Sequence, residues 1–309
     1  MDVSVIVVSY NTRDLLRDCL SSIYAKTEGV EFEVFVVDNR SEDGSADMVE
    51  AEYPMVRIIR NEENVGFARG NNLAIRSGSG RHFLLLNPDT QLVNNAVGEL
   101  VAYMDRHPEA GAAGSMLLND EREVLKVCRK FSRIIHEIGE LAPVINRFTL
   151  EPLSRNYLPG GFDYGSVGET DYVQGACLIV RREVVDAVGL LDERFFMYSE
   201  EEDWCYRIKR GGWKVMYVPS AVIIHYHGMS TRQRSSVMLM ELYRSKVKFF
   251  TKNYGRFKGW LLRVTLVVLM GIRIPYYSLV PLLAKGKRGT AKTYRDQSLT
   301  ILRAMISSI

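Results

Sequence analysis

The sequence has few cysteines, and their spacing argues against two common uses of this residue. Only four of the 309 residues are cysteine, and they lie far apart at Cys19, Cys128, Cys177 and Cys205. None of them forms a Cys-x-x-Cys pair, so the sequence indicates neither a zinc knuckle nor a disulfide framework. We therefore expect reduced thiols in the cytosol. The chain also starts directly with a predicted strand and shows no secretory signal pattern, which favours a cytoplasmic catalytic part.

A glycine-rich dinucleotide motif is also missing. The loop after the first predicted strand reads Ser9-Tyr10-Asn11-Thr12 and contains no Gly-x-Gly-x-x-Gly sequence. A dinucleotide pyrophosphate needs those glycines to approach the backbone closely. The sequence therefore argues against a dinucleotide-dependent oxidoreductase.

Long apolar runs are absent as well. The longest stretch of interest, Val264–Ile272, is bounded by Arg263 and Arg273. It is too short for a membrane span, which needs about 20 apolar residues. We expect a helix that lies in a membrane interface, with its arginines extending toward the polar headgroups. A core helix of a C-terminal subdomain is the alternative.

Charge is unevenly distributed along the chain. The net charge is only +3, and 47% of the residues are hydrophobic, as in a globular protein with a substantial core. Acidic residues are frequent before residue 125, whereas Lys and Arg dominate from Lys246 onward. A basic, apolar C-terminal part predicts a partner with an anionic surface. We expect this partner to be a membrane surface and expect no nucleic acid.

Short apolar runs alternate with helical periodicity along the chain. The predicted strands are Val3–Val8, Phe32–Val37, Val56–Ile59, Phe83–Leu86, Ala110–Met116, Tyr172–Val180 and Lys214–Val218. The predicted helices are Leu15–Ile23, Gly44–Tyr53, a helix through Ile75, Ala96–Met104 and Arg182–Val188. This alternation predicts the α/β class, with a mostly parallel central sheet flanked by helices and ligand loops along one edge. Residues 124–170 contain several Pro and Gly and are expected to form a variable segment over that edge.

Asp89 is the leading candidate for a metal ligand. The apolar run Phe83–Leu86 continues into Asn87-Pro88-Asp89-Thr90, which puts Asp89 just past the carboxyl end of a buried strand. Open α/β sheets bind ligands at that end, and carboxylates bind hard cations. Taken alone, Asn-Pro-Asp-Thr is more typical of a turn and a helix cap. A second acidic cluster farther along the chain favours the metal site.

Four consecutive acids, Glu200 to Asp203, form this second cluster among aromatic residues. Carboxylates crowded into partly apolar surroundings repel one another, which raises the pKa of at least one and suits it to act as a general base. If Ser199 caps a helix, Asp203 and Arg207 lie one turn apart and can pair, with Glu200 and Glu201 at the helix start. A solvated acidic helix start is the alternative.

Two histidines, His225 and His227, follow the apolar run Val222–Ile224 and precede a glycine. Imidazole can complete a Mn²⁺ shell of carboxylate and phosphate oxygens, or it can donate a hydrogen bond to a phosphate. One of the two histidines can be purely structural. Asp89 and His225 form a metal pair only if the fold brings them together.

These motifs, in this order over about residues 3 to 255, resemble the inverting family 2 glycosyltransferases. The resemblance is carried by the opening Val5–Asn11, the turn Val37–Ser45 and the box Asn64–Asn72. The segments Leu86–Thr90 and Gly175–Arg182, together with the acidic block before Trp204, are similar to the rhamnosyltransferase branch of that family.

The resemblance implies a GT-A fold, which is Rossmann-like, over residues 1–255. Residues 1–120 would form the nucleotide-sugar-binding half and residues 121–255 the acceptor-binding and catalytic half. Residues 256–309 would form a helical, amphipathic and basic tail that associates with the membrane. The implied cofactors are a divalent metal, Mg²⁺ or Mn²⁺, and a nucleotide-diphospho-sugar donor.

The resemblance also implies which residues bind the metal and which bind the nucleotide. The family's Asp-x-Asp motif corresponds to Asn87, Pro88 and Asp89, with Asp89 as the metal-binding acid and Asn87 in place of the first acid. His225 matches the family histidine at the metal and diphosphate, with His227 as the alternative. Asp38 matches the acid that hydrogen-bonds the nucleotide base. The other residues implied to line the nucleotide are Ser9, Tyr10, Asn11, Asn39, Asn64, Gly66, Phe67, Arg69, Asn71 and Asn72.

The catalytic base corresponds to the second acid of the family's Glu-Asp motif, which is Glu201 here. Glu replaces Asp at this position, so Glu200, Glu202 and Asp203 stay open as alternatives. The branch implies dTDP-rhamnose as donor, with a UDP-sugar as the alternative, and a cell-envelope glycan or polyprenyl-linked acceptor. The protein is then expected to be cytoplasmic and peripheral on the inner face of the cell membrane. A catalytically silent nucleotide-sugar-binding partner at the membrane is the competing hypothesis, and an oligomer is left open.

Overall fold

The computed structural model describes residues 1–141, 161–226, 235–283 and 288–307. The chain forms two compact units. The first, called the sheet unit, comprises Met1–Phe131, Leu158–Phe196 and Glu200–Arg232, and the second, called the helical unit, comprises Ser132–Tyr157, Met197–Ser199 and Gln233–Ile309. The predicted functional boundaries after residues 120 and 255 stay predictions. Residues 142–160 of the predicted variable segment, and His227, lie outside the described residues.

Eleven strands occur in the described residues. They are β1 Val3–Ser9, β2 Phe32–Asp38, β3 Arg57–Arg60, β4 His82–Leu86, β5 Thr90–Leu92, β6 Ala110–Leu118, β7 Cys128–Arg129, β8 Gly168–Thr170, β9 Tyr172–Val173, β10 Cys177–Arg181 and β11 Lys214–His225.

Ten helices occur in the same residues. They are α1 Arg13–Lys26, α2 Ser45–Glu52, α3 Gly66–Ser77, α4 Ala96–Arg106, α5 Ile134–Leu141, α6 Arg182–Val188, α7 Glu200–Arg210, α8 Ser235–Tyr254, α9 Arg256–Leu283 and α10 Arg288–Ile306.

Nine strands form one sheet in the order β3-β2-β1-β4-β10-β6-β11-β5, with β8 paired to β11. The strands β3, β2, β1, β4, β6 and β11 point in the same direction, whereas β10, β5 and β8 run opposite. The predicted α/β class with a mostly parallel central sheet flanked by helices is therefore confirmed. The antiparallel strand β10 between β4 and β6 was not predicted, because a periodic apolar run does not report strand direction.

The central strands are apolar on both faces, as strands covered by helices on both sides should be. In β1, Val3, Val5, Ile6 and Val7 are fully buried. Helix α1 turns Leu16, Cys19, Leu20 and Ile23 toward the core, which confirms the predicted periodicity. At the N-cap position of this helix, Thr12 makes no capping hydrogen bond with its side chain, and its hydroxyl lies 2.9 Å from Ser9 Oγ.

Strand β11 joins two apolar runs that the sequence suggested were separate. Lys214–His225 is continuous, but its register against β6 shifts between Val218 and Val222. Pro219 lies in that interval and cannot donate a ladder hydrogen bond, so an irregularity there is expected. The continuity of the strand brings His225 to the carboxyl end of the sheet.

In the helical unit, the helix predicted for the apolar stretch Val264–Ile272 is observed as part of α9. The two arginines that bound its apolar stretch do not extend outward. Arg263 Nε donates to the carbonyl oxygen of Met305 at 2.7 Å, and Arg273 Nη1 donates to that of Leu141 at 2.6 Å. The prediction that they reach toward headgroups is therefore wrong. Among the described helices, none has the length and apolar character required to span a bilayer.

Candidate active site

The candidate site residues of the sheet unit gather where the parallel strands end. Ser9, the last residue of β1, is in register with Asp38, the last residue of β2. Val7 is in register with Leu86 on the other side of β1, so Asn87 follows beside the same edge. Carboxyl ends of parallel strands are where open α/β sheets bind ligands.

The loops after β1 and β2 are tied to each other through Asn11. This residue has a positive φ of 52°, a conformation that Asn tolerates better than most residues. Its backbone N–H donates to Ser41 Oγ at 2.9 Å, and its Oδ1 accepts from the N–H of Glu42 at 2.7 Å. Tyr10 precedes it and is half-buried. The first loop is thus held in one shape by the second.

Asp38 is buried and has one carboxylate oxygen left for a ligand. Its Oδ2 accepts the N–H of Ser41 at 3.0 Å, whereas Oδ1 is buried and has no hydrogen-bond partner among the described residues. A buried acceptor without a partner is costly, so such an atom is normally satisfied by something. This geometry suits the predicted contact with a nucleotide base, which stays a prediction.

Asn39 links β2 to the start of α3. Its Nδ2 donates to the carbonyl oxygen of Gly66 at 3.1 Å, and its Oδ1 accepts from Asn61 Nδ2 at 2.9 Å. Asn64 Oδ1 in turn accepts the N–H of Gly66 at 3.0 Å. These hydrogen bonds fix the loop between β3 and α3. Asn39 and Asn64 therefore stabilise the candidate nucleotide-binding edge of the sheet.

Gly66 is at a position that no other residue fits. Its φ is +82°, and a Cβ there would lie 2.2 Å from the carbonyl oxygen of Phe196. The same carbonyl accepts the N–H of Phe67 at 2.8 Å. The close approach therefore joins α3 to the segment just before the acidic helix.

The remaining residues of the α3 box differ in their surroundings. Asn72 is fully buried: its Nδ2 donates to the carbonyl oxygen of Leu191 at 2.9 Å, and its Oδ1 accepts that residue's N–H at 3.1 Å. Asn71 Nδ2 donates to the carbonyl oxygen of Phe67, and Arg69 is exposed. Asn72 thus links α3 to the segment around Leu191. Nucleotide contacts from Asn72, Asn71 and Arg69 stay predictions.

Asp89 and His225 lie side by side. Strand β5 pairs with the end of β11, with Thr90 opposite His225, and the N–H of Tyr226 donates to the carbonyl oxygen of Asp89 at 2.9 Å. His225 Nε2 lies 3.2 Å from Asp89 Oδ1, and both residues are buried. The condition on which the predicted metal pair depended is therefore met.

The pair fits a divalent cation that shares its coordination with a substrate. Carboxylate oxygen and imidazole nitrogen are both ligands for Mn²⁺, and Mg²⁺ is commonly held by one or two carboxylates plus substrate phosphates. Within the described residues there is no group of three or more His, Cys, Asp or Glu that could hold a metal by itself. Asp89 and His225 would thus supply two ligands, with phosphate oxygens completing the shell.

Asn87 and Pro88 connect the Asp89 turn to the neighbouring strand. The N–H of Asn87 donates to the carbonyl oxygen of Ala176 at 3.0 Å, just before β10, and Pro88 is buried. The residue before Ala176 is Gly175, and a Cβ at Gly175 would lie 3.5 Å from Glu201 Cβ. The short turn between β9 and β10 therefore lies between the Asp89 loop and the acidic helix. Sequence reasoning did not assign this role to Gly175, although a glycine between two short strands was a usable signal.

Helix α7 begins at Glu200, which confirms the predicted helix start. Burial raises the pKa of Glu200 well above its ordinary value, and the neighbouring Glu201 carboxylate adds to the rise. Burial also raises the pKa of Glu201, partly offset by hydrogen bonds from backbone amides of residues 175, 201 and 202. The Oε2 atoms of both residues are buried and without a hydrogen-bond partner among the described residues. Raised carboxyl pKa values are typical of general bases, and desolvation is their main cause here.

Asp203 forms a buried ion pair that stabilises the fold. Its Oδ2 accepts from Arg207 Nε at 2.9 Å, as predicted from their spacing of one turn, and its side chain is fully buried. The same guanidinium donates to the carbonyl oxygens of Val188 and Leu190 at 2.6 and 2.8 Å. Asp203 therefore anchors α7 to the loop after α6, and a catalytic role for it stays a prediction. Glu202 is buried as well.

Comparison with known proteins adds independent evidence. A family profile described as glycosyl transferase family 2 matches residues 4–187. The N-acetylglucosaminyl-diphospho-decaprenol L-rhamnosyltransferase of Mycobacterium tuberculosis is 28% identical over 268 residues, covering 83% of this chain and 85% of that protein. The rhamnosyltransferase WbbL of Escherichia coli is 25% identical over 236 residues, covering 72% of this chain and 83% of its own. A solved mannosyltransferase, PcManGT from Pyrobaculum calidifontis in complex with GDP-Man and Mn²⁺, is 18% identical with a TM-score of 0.59 and covers 98% of this chain and 86% of that one.

Proposed function

Since this chain belongs to glycosyl transferase family 2 and has the GT-A fold, we propose that it inverts the anomeric centre of a sugar while transferring it to an acceptor hydroxyl in a metal-dependent reaction. The coarser activity, glycosyl transfer from a nucleotide-sugar, comes with the family.

The observation that supports the proposal most strongly is the short path between the Asp89–His225 pair and the acids at the start of α7. Asn87 bonds Ala176, and the adjacent Gly175 is in contact distance of Glu201. The Asp89–His225 pair and the raised-pKa carboxyl of Glu201 therefore flank one turn of the sheet unit. A transferase needs this combination, because negative charge develops on the leaving group while a proton must leave the attacking hydroxyl.

On the donor side, Asp38 would accept a hydrogen bond from the nucleotide base through Oδ1, and the loop containing Ser9 and Asn11 would border the nucleoside. Asp89 and His225 would hold the cation together with the diphosphate. When bound, that cation offsets the charge on the departing nucleoside diphosphate. Mn²⁺ in the mannosyltransferase relative is consistent with this assignment.

On the acceptor side, Glu201 would act as the general base. Its carboxylate takes the proton of the acceptor hydroxyl as that oxygen bonds to the anomeric carbon. The bond from the anomeric carbon to the phosphate oxygen breaks, and its electron pair leaves with the nucleoside diphosphate. Attack from the face opposite the leaving group inverts the centre, so no covalent enzyme intermediate is required. The neighbouring Glu200, whose pKa is raised by burial and by the Glu201 carboxylate, would lie beside this base.

The donor we propose is dTDP-rhamnose, with a UDP-sugar as the alternative. Two relatives that match most of their own length are named rhamnosyltransferases, and one of them acts on a diphospho-decaprenol-linked sugar according to its name. We therefore propose a polyprenyl-linked or other cell-envelope glycan acceptor, met at the inner face of the cell membrane. A pocket's sugar preference depends on its site residues rather than on the fold.

The test is a panel of nucleotide-sugars assayed for Mn²⁺-dependent thermal stabilisation and hydrolysis, followed by the Glu201→Gln variant. We expect one donor to give both signals, and Glu201→Gln to keep donor stabilisation while losing about 10²- to 10⁴-fold in turnover. The exposed Glu121→Gln is the matched control. Unchanged turnover in Glu201→Gln would remove Glu201 as the base, and donor binding without turnover in the wild type would identify a silent binder instead.

A further inference from the structure

One side of α9 exposes a row of large apolar side chains. The row, called the α9 apolar row below, consists of Phe257, Trp260, Leu261, Val264, Val268, Ile272, Tyr276 and Leu279. Neighbours in the row are mostly three or four residues apart, which puts them on the same side of a helix. With a rise of 1.5 Å per residue, the row extends over about 33 Å.

Within the part of the helical unit that the structure describes, this row is left out of the packing. The opposite side of α9 buries Leu262, Leu266 and Met270 completely, and α9 packs there against α8 and α10. A helix that is apolar all round normally lies inside a protein. Here one apolar side is buried and the other is exposed. We therefore expect the exposed side to bind a partner.

Beyond Lys258, no charged side chain interrupts the row. Between Gly259 and Leu283 the sequence has two charged residues, Arg263 and Arg273. Both guanidinium groups hydrogen-bond backbone carbonyl oxygens within the helical unit, at Met305 and Leu141. The fold has thus withdrawn from the exposed side the charges that would oppose its burial in an apolar phase.

Charge around the row is strongly positive. Residues 235–309 contain 14 Lys and Arg but only two acids, Glu241 and Asp296, which gives a net charge of +12 in a chain whose total is +3. The rest of the chain therefore carries −9. Such an asymmetry favours an anionic partner for the part that carries the row.

The N-terminal end of the row has the composition of a lipid–water interface. The exposed rings of Phe257 and Trp260 stack with centroids 6.0 Å apart, and the exposed Arg256 and Lys258 flank Phe257. Aromatic rings prefer the headgroup level of a bilayer, and long basic side chains reach its anionic phosphates.

We propose that the α9 apolar row lies flat on an anionic lipid bilayer, with its side chains inserted to the boundary between headgroups and acyl chains. The partner is a lipid surface rather than a second copy of the chain, because a copy would bring a second charge of +12 to the same interface. The inference rests on the proposed function only for the identity of the acceptor, which would be met at that surface.

Trp260 provides a test in the unmodified protein. Of the three tryptophans, Trp204 is fully buried and Trp213 is half-buried, whereas Trp260 is 58% exposed. With vesicles of phosphatidylcholine and phosphatidylglycerol, we expect a blue shift of the emission and quenching by brominated acyl chains. Both signals should be weaker with phosphatidylcholine alone and should disappear in Trp260→Phe. If the emission neither shifted nor was quenched with anionic vesicles, the proposal would be overturned.

A second test changes the middle of the row. The double variant Val268→Glu, Ile272→Glu should lower partitioning into anionic vesicles by at least about tenfold, because two carboxylates would have to enter the interface. Met55→Glu, at an apolar position 60% exposed in the sheet unit, is the matched control and should sediment like the wild type. Circular dichroism melting checks folding, and if the double variant does not fold, the Trp260 measurement alone gives the answer.

Two outcomes separate this proposal from others. If the double variant bound vesicles as tightly as the wild type, the row would not be the contact. If the wild type ignored vesicles and the double variant changed its oligomeric state in sedimentation velocity, the row would join copies of the chain. Donor hydrolysis in lipid-free solution tests the proposed function separately, because vesicle binding needs no donor.

Discussion

His225 Nε2 lies 3.2 Å from Asp89 Oδ1 because β5 pairs with the end of β11 and sets Thr90 opposite His225. A three-residue strand therefore creates the candidate metal pair. Asp89 lies in the turn between β4 and β5, and His225 is the last residue of β11. The site's geometry depends on this antiparallel pairing.

We expect Asp89→Asn to abolish most metal-dependent activity. The amide is neutral and binds a hard cation less well, so loss of several kcal/mol of charge stabilisation corresponds to at least about a hundredfold in turnover. Isothermal titration of Mn²⁺ in the presence of the nucleoside diphosphate should show weaker binding. The exposed Asp186→Asn on α6 is the control. Wild-type Mn²⁺ dependence in Asp89→Asn would contradict the assignment.

The buried carboxyls predict a distinct pH dependence of stability. Burial raises the pKa of Glu200 well above its ordinary value of 4.5. The folded state then holds this proton more tightly than the unfolded state does, so the stabilisation is present at low pH and is lost as pH rises through the folded-state pKa. We expect Glu200→Gln to melt above the wild type at pH 8, by about 2–4 °C for each kcal/mol gained, with the difference shrinking toward pH 4.

Melting curves of the two proteins across this pH range give the measurement, with the exposed Glu121→Gln as the control. A difference that stayed constant with pH would show that Glu200 does not titrate between the folded and unfolded states in the expected direction. A wild type that was more stable than Glu200→Gln at every pH would contradict the prediction outright.

Asp203→Ala should destabilise the protein without a specific loss of donor binding. It leaves the Arg207 guanidinium without its carboxylate in a largely buried position, which costs about 3–5 kcal/mol in typical buried pairs. Chemical denaturation measures the loss. Asp14→Ala breaks the exposed pair with Arg17 and should cost under about 1 kcal/mol. If Asp203→Ala stayed as stable as Asp14→Ala while losing turnover, Asp203 would be a candidate base after all.

Gly66→Ala should be much more harmful than Gly44→Ala. Both glycines have a positive φ, +82° and +79°, so both substitutions carry backbone strain of about 1–2 kcal/mol. Only the Gly66 Cβ meets another atom, the carbonyl oxygen of Phe196 at 2.2 Å, whereas Gly44 has nothing within 4 Å. We expect a further loss of about 1–3 kcal/mol in urea unfolding for Gly66→Ala, together with weaker nucleotide binding because Asn39 bonds the Gly66 carbonyl. Equal stabilities would rule out the clash.

Several features followed from the sequence because they depend on local chemistry. The buried runs of β1, β2 and β4 and the periodic face of α1 were identified from residue type and spacing alone. The one-turn pair of Asp203 and Arg207 followed from helical geometry. The Asn72 contacts with Leu191 could not be predicted, because the partners are far apart in the chain and no local rule joins them.

In the tail, too, some features followed from the sequence, whereas others depended on contacts between distant residues. Its basic and apolar composition was plain in the sequence, yet the outward course predicted for Arg263 and Arg273 was wrong. Whether an arginine points to solvent or to a backbone carbonyl depends on which helices pack beside it. In the helical unit those carbonyls belong to Met305 and Leu141, at the ends of other helices.

The sequence by itself determined which segments become strands and helices, and it named the acids and histidines able to do chemistry, because secondary structure and side-chain chemistry are largely local. Only the tertiary structure decided which of them meet. The pairing of β5 with β11 joins Asp89 to His225, and the turn at Gly175 brings Glu201 near the Asp89 loop. Strand order and direction come from the burial of the whole sheet, a collective property that no single stretch of residues encodes.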